Sequence, residues 1–397
     1  LALVSAPVAA WLPVDLRGRI EEASIRDLLA LLASSMLLVA TFSLGTMVAA
    51  YSVAAQIATP RATKVLIDDP VAQTVISTFV GAFVFTIISL MGLNLGLYGE
   101  DGRVLLLAAT GLVVLVVIVT LFGWIDYLTN LVRLGAVLNK VEAAAARALA
   151  DAGRATGGVA VAGDPLADRP ILLQEIGYVA RIDLDCLERV AARRGGRVRI
   201  VAPPGAMVSR GAPVAFASFD PDAEDLRLLR KAFAVGTERS IDQDPRYGLI
   251  VLAEVASRAL SPGVNDPGTA ISVLSRLQRL LTHWVERAPR DRPGRAYVEG
   301  PGVEAADLCE DAFGPLARDG AATFEVGVRL QKALRALAGL GHPGLAAAAA
   351  RQAARALAQA AAALVLEGDR AEMARLAAEV AAAAAPPVDK PVHKSES

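Results

Sequence analysis

Cysteine is nearly missing from this 397-residue chain: Cys186 and Cys309 stand far apart, neither in a CxxC pair. That excludes a disulfide framework and a thiolate zinc site. Histidine is as scarce, with His283, His342 and His393 too few and too scattered for a histidine-rich metal centre. A basic surplus is lacking as well, since 40 Lys+Arg meet 41 Asp+Glu for a net charge of −1. A nucleic-acid binder needs such a surplus to displace counterions, so no nucleic-acid partner is expected. No Gly-rich phosphate loop, nucleophile–base pair or metal-ligand spacing is recognisable, and neither a cofactor nor a metal is called for.

What the chain has in excess is apolar sequence. Hydrophobic residues make up 54% of it, and mean hydropathy is +0.45. The charges are unevenly spread: only seven Lys+Arg and nine Asp+Glu precede Gly135. Crossing about 30 Å of hydrocarbon takes roughly 20 apolar residues in a helix that satisfies its own backbone. Three stretches qualify, at 28–58, 71–97 and 104–134, and the apolar stretch 1–14 reads as the end of a first membrane helix. Lys and Arg near the membrane edges set orientation. With the C-terminal region in the cytoplasm, Arg61, Lys64, Arg133, Lys140, Arg147 and Arg154 share that side, against Arg17, Arg19, Arg26 and Arg103 opposite.

At 100° per residue, Ser34, Thr41, Gly45, Ala49, Ser52 and Gln56 fall in a stripe about 80° wide on the first complete helix. Small and hydroxyl-bearing residues suit a tight helix–helix contact within one bundle, or else a pore lining or subunit interface. Gly92 and Gly96 form a GxxxG pattern that hints at dimerisation. Asp126 is an intramembrane carboxylate by position, a functional candidate unless Trp124 and Tyr127 mark the interface there.

Beyond residue 135 the pattern is that of a water-facing region. A connecting helix and Gly-rich linker occupy 136–158, a small β-rich subdomain 159–220, a helical domain 221–385 and a disordered tail 386–397. The strand-like runs start at Pro170, Gly177, Arg197 and Pro213, with Pro204, Gly205 and Gly211 in tight turns. This stretch loosely resembles the barrel-sandwich fold of lipoyl carriers and membrane-fusion adaptors, but it has no lysine at the hairpin tip for a prosthetic group.

The densest polar motifs are Arg239-Ser-Ile-Asp-Gln-Asp-Pro-Arg246 and Ser261-Pro-Gly-Val-Asn-Asp-Pro-Gly268. Asp244 and Asp266, each followed by proline, read as caps of successive helices. Arg239, Asp242, Gln243, Asp244, Arg258, Asn265 and Asp266 then form a candidate ligand or interface cluster. These motifs, with Pro60-Arg61 to Asp69 and Gly177-Tyr-Val, resemble a bacterial family of predicted membrane proteins, domain-of-unknown-function family 2254. The likeness extends to about residue 325 and implies an architecture without a mechanism. Where that family has adjacent histidines late in the last membrane helix, this chain has Asp126-Tyr127, and no histidine role carries over.

The expected fold is a four-helix transmembrane bundle with a truncated first helix, followed by an α+β soluble region with a small β-barrel-like subdomain and α-helices. The expected function is an oligomeric channel-like or transport-related assembly in the bacterial inner membrane, with the lipid bilayer and further copies of itself as partners. A membrane-anchored scaffold or sensor is the alternative. A metal-dependent enzyme at Asp242, Asp244, Asn265 and Asp266 is the least supported.

Overall fold

The computed structural model describes residues 22–67, 70–131, 133–155, 169–287 and 295–385. The partial helix at 1–14, the Gly157-Gly158 linker and the tail at 386–397 lie outside the described residues. The chain divides into two compact units, one up to Val137 and one from Leu138.

The first unit is helical. Helix α1 (Glu22–Ile57), α2 (Pro60–Ile67), α3 (Pro70–Asn94) and α4 (Glu100–Leu131) follow in order. Three of them, α1, α3 and α4, are long and apolar enough to cross a membrane. A fourth span is not among the described residues. At 36 residues α1 is about 54 Å long, well over the hydrocarbon thickness. Glu22 and Arg26 pair on its surface at 2.8 Å. Glu22 also accepts from Arg103 at 2.5 Å, tying the start of α1 to that of α4. Met36, Val75, Phe79, Val117 and Trp124 are buried between these helices.

Among the chain's described residues, Gly92 and Gly96 shape the end of α3 and meet no other helix. Gly96 ends α3 in the left-handed region at φ 66°, and Leu97 donates back to the Gly92 carbonyl at 3.0 Å. This is a glycine C-cap. The Tyr98 ring lies on Gly92, where a Cβ would come 2.7 Å from it.

Helix α5 (Leu134–Ala155) comes next, most of it in the second unit. Two sheets follow, formed by β1 (Arg169–Leu172), β2 (Gly177–Ile182), β3 (Val198–Ile200), β4 (Met207–Val208), β5 (Pro213–Ala217), β6 (Phe233–Gly236) and β7 (Val298–Glu299). Their orders are β1-β5-β3-β7 and β4-β2-β6, antiparallel except for the parallel pair β3–β7. The expected barrel is therefore absent among the described residues: each sheet ends in two unshared edges, whereas closure requires none. Both sheets pack on one core with α6 (Leu184–Arg194) and α7 (Ala223–Lys231), burying Ile171, Val179, Leu187, Val198, Val214 and Leu229. Strands β6 and β7 come from beyond residue 220, so the sheets draw on more of the chain than 159–220.

Local chemistry accounts for the two helices. Asp183 accepts from the Cys186 amide and Gly195 closes α6 at φ 63°. Asp222 and Asp225 form a reciprocal capping box at the start of α7. The rest is helical: α8 (Tyr247–Ala259), α9 (Pro267–Arg287), α10 (Ala305–Asp319), α11 (Phe324–Ala338), α12 (Pro343–Ala363) and α13 (Glu367–Ala384). Helix α8 crosses α5 closely at Gly248, where a Cβ would lie 2.4 Å from that of Ala145.

Candidate functional site

The cap expected at Asp244 is built, though the helix it caps starts only at Tyr247. The Asp244 carboxylate is 1% exposed and accepts from the amides of Arg246 and Tyr247, both at 3.1 Å. Its other oxygen accepts from Arg239 Nε at 2.8 Å and Nη2 at 2.7 Å. The same guanidinium lies over the Tyr247 ring, 5.0 Å from its centroid. Burial pushes the Asp244 carboxyl above its ordinary value, against the pull of Arg239 and the two amides. Gly205, at φ 89°, faces it: a Cβ there would lie 2.1 Å from the carboxylate. Only glycine permits both that backbone angle and that approach.

The neighbouring residues anchor the same corner. Gln243 Oε1 accepts from the Ile182 amide at 2.8 Å, joining the segment to the end of β2. Arg246 binds Asp311 through Nε at 2.5 Å and Nη2 at 3.1 Å, and Asp307 through Nη1 at 2.6 Å, which ties the start of α8 to α10. Asp242 is exposed, and its carboxylate accepts from the nearby Ser240 hydroxyl at 2.9 Å.

The remaining members of the cluster sit elsewhere. Arg258, Asn265 and Asp266 lie at or beyond the far end of α8, whose 13 residues make it about 20 Å long. Asp266 caps α9, accepting from the Thr269 hydroxyl at 2.6 Å and amide at 3.0 Å. Those bonds hold its carboxyl below the ordinary value. Asn265 has φ 50°, alone among the described non-glycine residues in the left-handed region. Arg258 is exposed, and its carbonyl accepts from the Ser261 hydroxyl at 2.7 Å. The cluster thus divides into two caps, and Asp242 and Asp244 do not meet Asn265 and Asp266. Among the described residues no group of three or more His, Cys, Asp or Glu could hold a metal ion.

Beside Asp244 lies a cleft made of two adjoining hollows, of about 750 Å³ and about 270 Å³, which share Ile200, Pro203, Pro204, Pro245 and the turn at Gly300, Pro301 and Val303. It opens where the parallel strands β3 and β7 end and their chains diverge, β3 toward the Pro204-Gly205 turn and β7 toward α10. Crevices beyond the carboxyl ends of parallel strands are common ligand sites, as are large hollows with a few convergent polar groups. Gln243, Asp244 and Arg246 all lie on its wall. Arg199, Glu299 and Glu304 line it too, and nothing in their local sequence marked them. Gly300-Pro301-Gly302 signals a turn but not which wall that turn builds.

In the membrane unit, Ser34, Thr41, Gly45, Ala49, Ser52 and Gln56 are all exposed on α1. The buried face is instead Ile25, Leu29, Ala33, Met36, Ala50 and Ala54. Thr41 returns its hydroxyl to the Leu37 carbonyl at 2.9 Å, so it is satisfied within its own helix. Asp126 is exposed as well, next to the Trp124–Tyr127 stack at 5.5 Å.

The family described as Predicted membrane protein (DUF2254) matches residues 1–336. The chain belongs to this family. Its DUF2254 match ends inside α11, so α12 and α13 lie beyond it. Among similar proteins, an uncharacterized protein of Mycobacterium bovis is 32% identical over 142 residues, which is 33% of this chain and 27% of that protein. An uncharacterized protein of Mycobacterium tuberculosis matches with the same figures. The matched stretch spans about a quarter of the length of these relatives. No solved structure matches this DUF2254 chain.

Proposed function

We propose that this DUF2254 protein works as an oligomeric membrane assembly, channel-like or transport-related, in a bacterial inner membrane, with its C-terminal unit a cytoplasmic regulatory domain. One observation carries the proposal: the stripe from Ser34 to Gln56 on α1 faces away from α3 and α4. A spanning helix that turned this face to lipid would leave its small residues without close partners. A neighbouring helix of a further copy could approach there closely and exchange hydroxyl hydrogen bonds.

Single cysteines test this in native membranes. Thr41→Cys and Ser52→Cys are expected to form disulfide-linked dimers under mild oxidation, and Leu115→Cys, exposed on α4, is not. Purified protein in liposomes is then expected to pass small ions. A monomer by native mass that conducts nothing defeats the proposal.

A further inference from the structure

Most charged side chains on the cleft wall are spoken for. Asp244 is held by Arg239, Arg246 by Asp307 and Asp311, Glu299 by Arg197 at 2.9 Å, and Arg295 by Asp185 at 2.7 Å. These internal pairs stiffen the walls and leave little charge for a ligand. Arg199 lies over the Phe216 ring, 5.1 Å from its centroid, and Asp151 has a partner of its own, so what stays open is main chain and one carboxylate.

The main chain in question is 300–304, which continues β7 out of the edge of the four-stranded sheet. Among the described residues, the amides of Gly300, Gly302, Val303 and Glu304 reach no backbone acceptor, and the carbonyls of residues 300–303 reach no backbone donor. The carboxylate is that of Glu304. It stands at the N-cap position of α10 without bonding any amide of that helix, and it is exposed. The smaller hollow beside them is mostly apolar, with Ile182, Leu184, Ile200 and Val303 between the prolines and Asp151, Gln243 and Arg295 also on its wall.

We propose that this cleft binds an extended segment of another polypeptide, one that carries an apolar side chain next to a basic one. Open amides and carbonyls along an edge pair with an added strand, and that pairing supplies affinity. A neighbouring pocket of about 270 Å³ takes one apolar side chain and supplies selectivity. Glu304 meets the basic residue, since charge complementarity chooses among partners. The proline walls are already in place, so binding orders little of the protein. The inference holds whatever the membrane unit conducts.

The test is fluorescence anisotropy on the full-length protein in nanodiscs, with empty nanodiscs as background. The probes are a labelled octapeptide of alternating valine and lysine and its counterpart with glutamate for lysine. Saturable binding of the basic peptide is expected, about tenfold tighter than the acidic one. Glu304→Lys is expected to reverse that preference. Gly302→Pro, which removes one amide donor, is expected to weaken both. Glu304 lies on the surface with no ion pair among the described residues, so its variant tests recognition without disturbing folding. Equal binding of the two peptides, a preference unchanged in Glu304→Lys, or no saturable binding at all overturns the proposal.

Discussion

Gly205 and Asp244 meet across the cleft corner with no room between them, and each explains the other. Asp244 holds the start of α8 and the Arg239 guanidinium from inside the protein, 1% exposed. Asp244→Ala leaves that guanidinium and two amides without their acceptor, at a cost of about 3 kcal/mol. Gly205→Ala forces a side chain into the left-handed region and against a carboxylate, also costing about 3 kcal/mol. Together they are expected to cost clearly less than the sum, because truncating the aspartate vacates the space that a methyl group on residue 205 needs. Urea midpoints followed by tryptophan fluorescence measure the cycle, and additivity within about 0.5 kcal/mol rejects the contact. The cap at Asp244 could be read from Asp-Pro alone. The need for glycine at 205 could not, since its cause sits 39 positions away.

Between elements, Glu142 ties α5 to α9. It accepts from Arg276 Nη1 at 2.7 Å and from Arg279 Nε and Nη2 at 2.6 and 2.8 Å. Burial pushes its carboxyl up, but the hydrogen bonds and charges of Arg279 and Arg276 outweigh that and hold it below its ordinary 4.5. A carboxylate whose folded value is depressed stabilises the fold above the unfolded value. That contribution is lost as pH falls through 4.5 toward the lower folded value. Glu142→Gln is therefore expected to cost about 1 kcal/mol at pH 7, and the difference from wild type to shrink steadily below pH 4.5 in acid unfolding curves. A gap that is constant with pH counts against the pair.

Elements were readable to different degrees. The strands β1, β2, β3 and β5 follow their apolar runs. The two-residue strands β4 and β7 are too short for any periodicity to show. Helix α6 had its signals, Asp183 before it and Gly195 after it, yet sits inside a stretch read as β-rich. The barrel failed for a non-local reason: β7, drawn in from residue 298, takes the place beside β3.

Over the whole molecule, the three apolar helices decide how the protein partitions. Exposed large side chains such as Leu38, Phe42, Ile88, Val119 and Phe122 cover α1, α3 and α4. In water such a surface drives aggregation, and in lipid it is satisfied. The full-length protein is expected to stay in the membrane pellet through alkaline carbonate and high-salt washes and to leave only with detergent. Release by either wash ends the membrane account.

Two kinds of information separate here. The three complete spans, the helix caps and the α+β character of the second unit came from runs and spacings within a few turns of chain. A helix satisfies its own backbone, and a cap reaches only three residues, so both are written in neighbouring positions. Only the tertiary structure decided that Asp242 and Asp244 stand a helix length from Asn265 and Asp266. The same holds for the outward α1 stripe and for the convergence of 203–205, 243–246 and 300–304 on one cleft. Those facts depend on contacts between residues tens of positions apart, and no local pattern records which distant wall a side chain will meet.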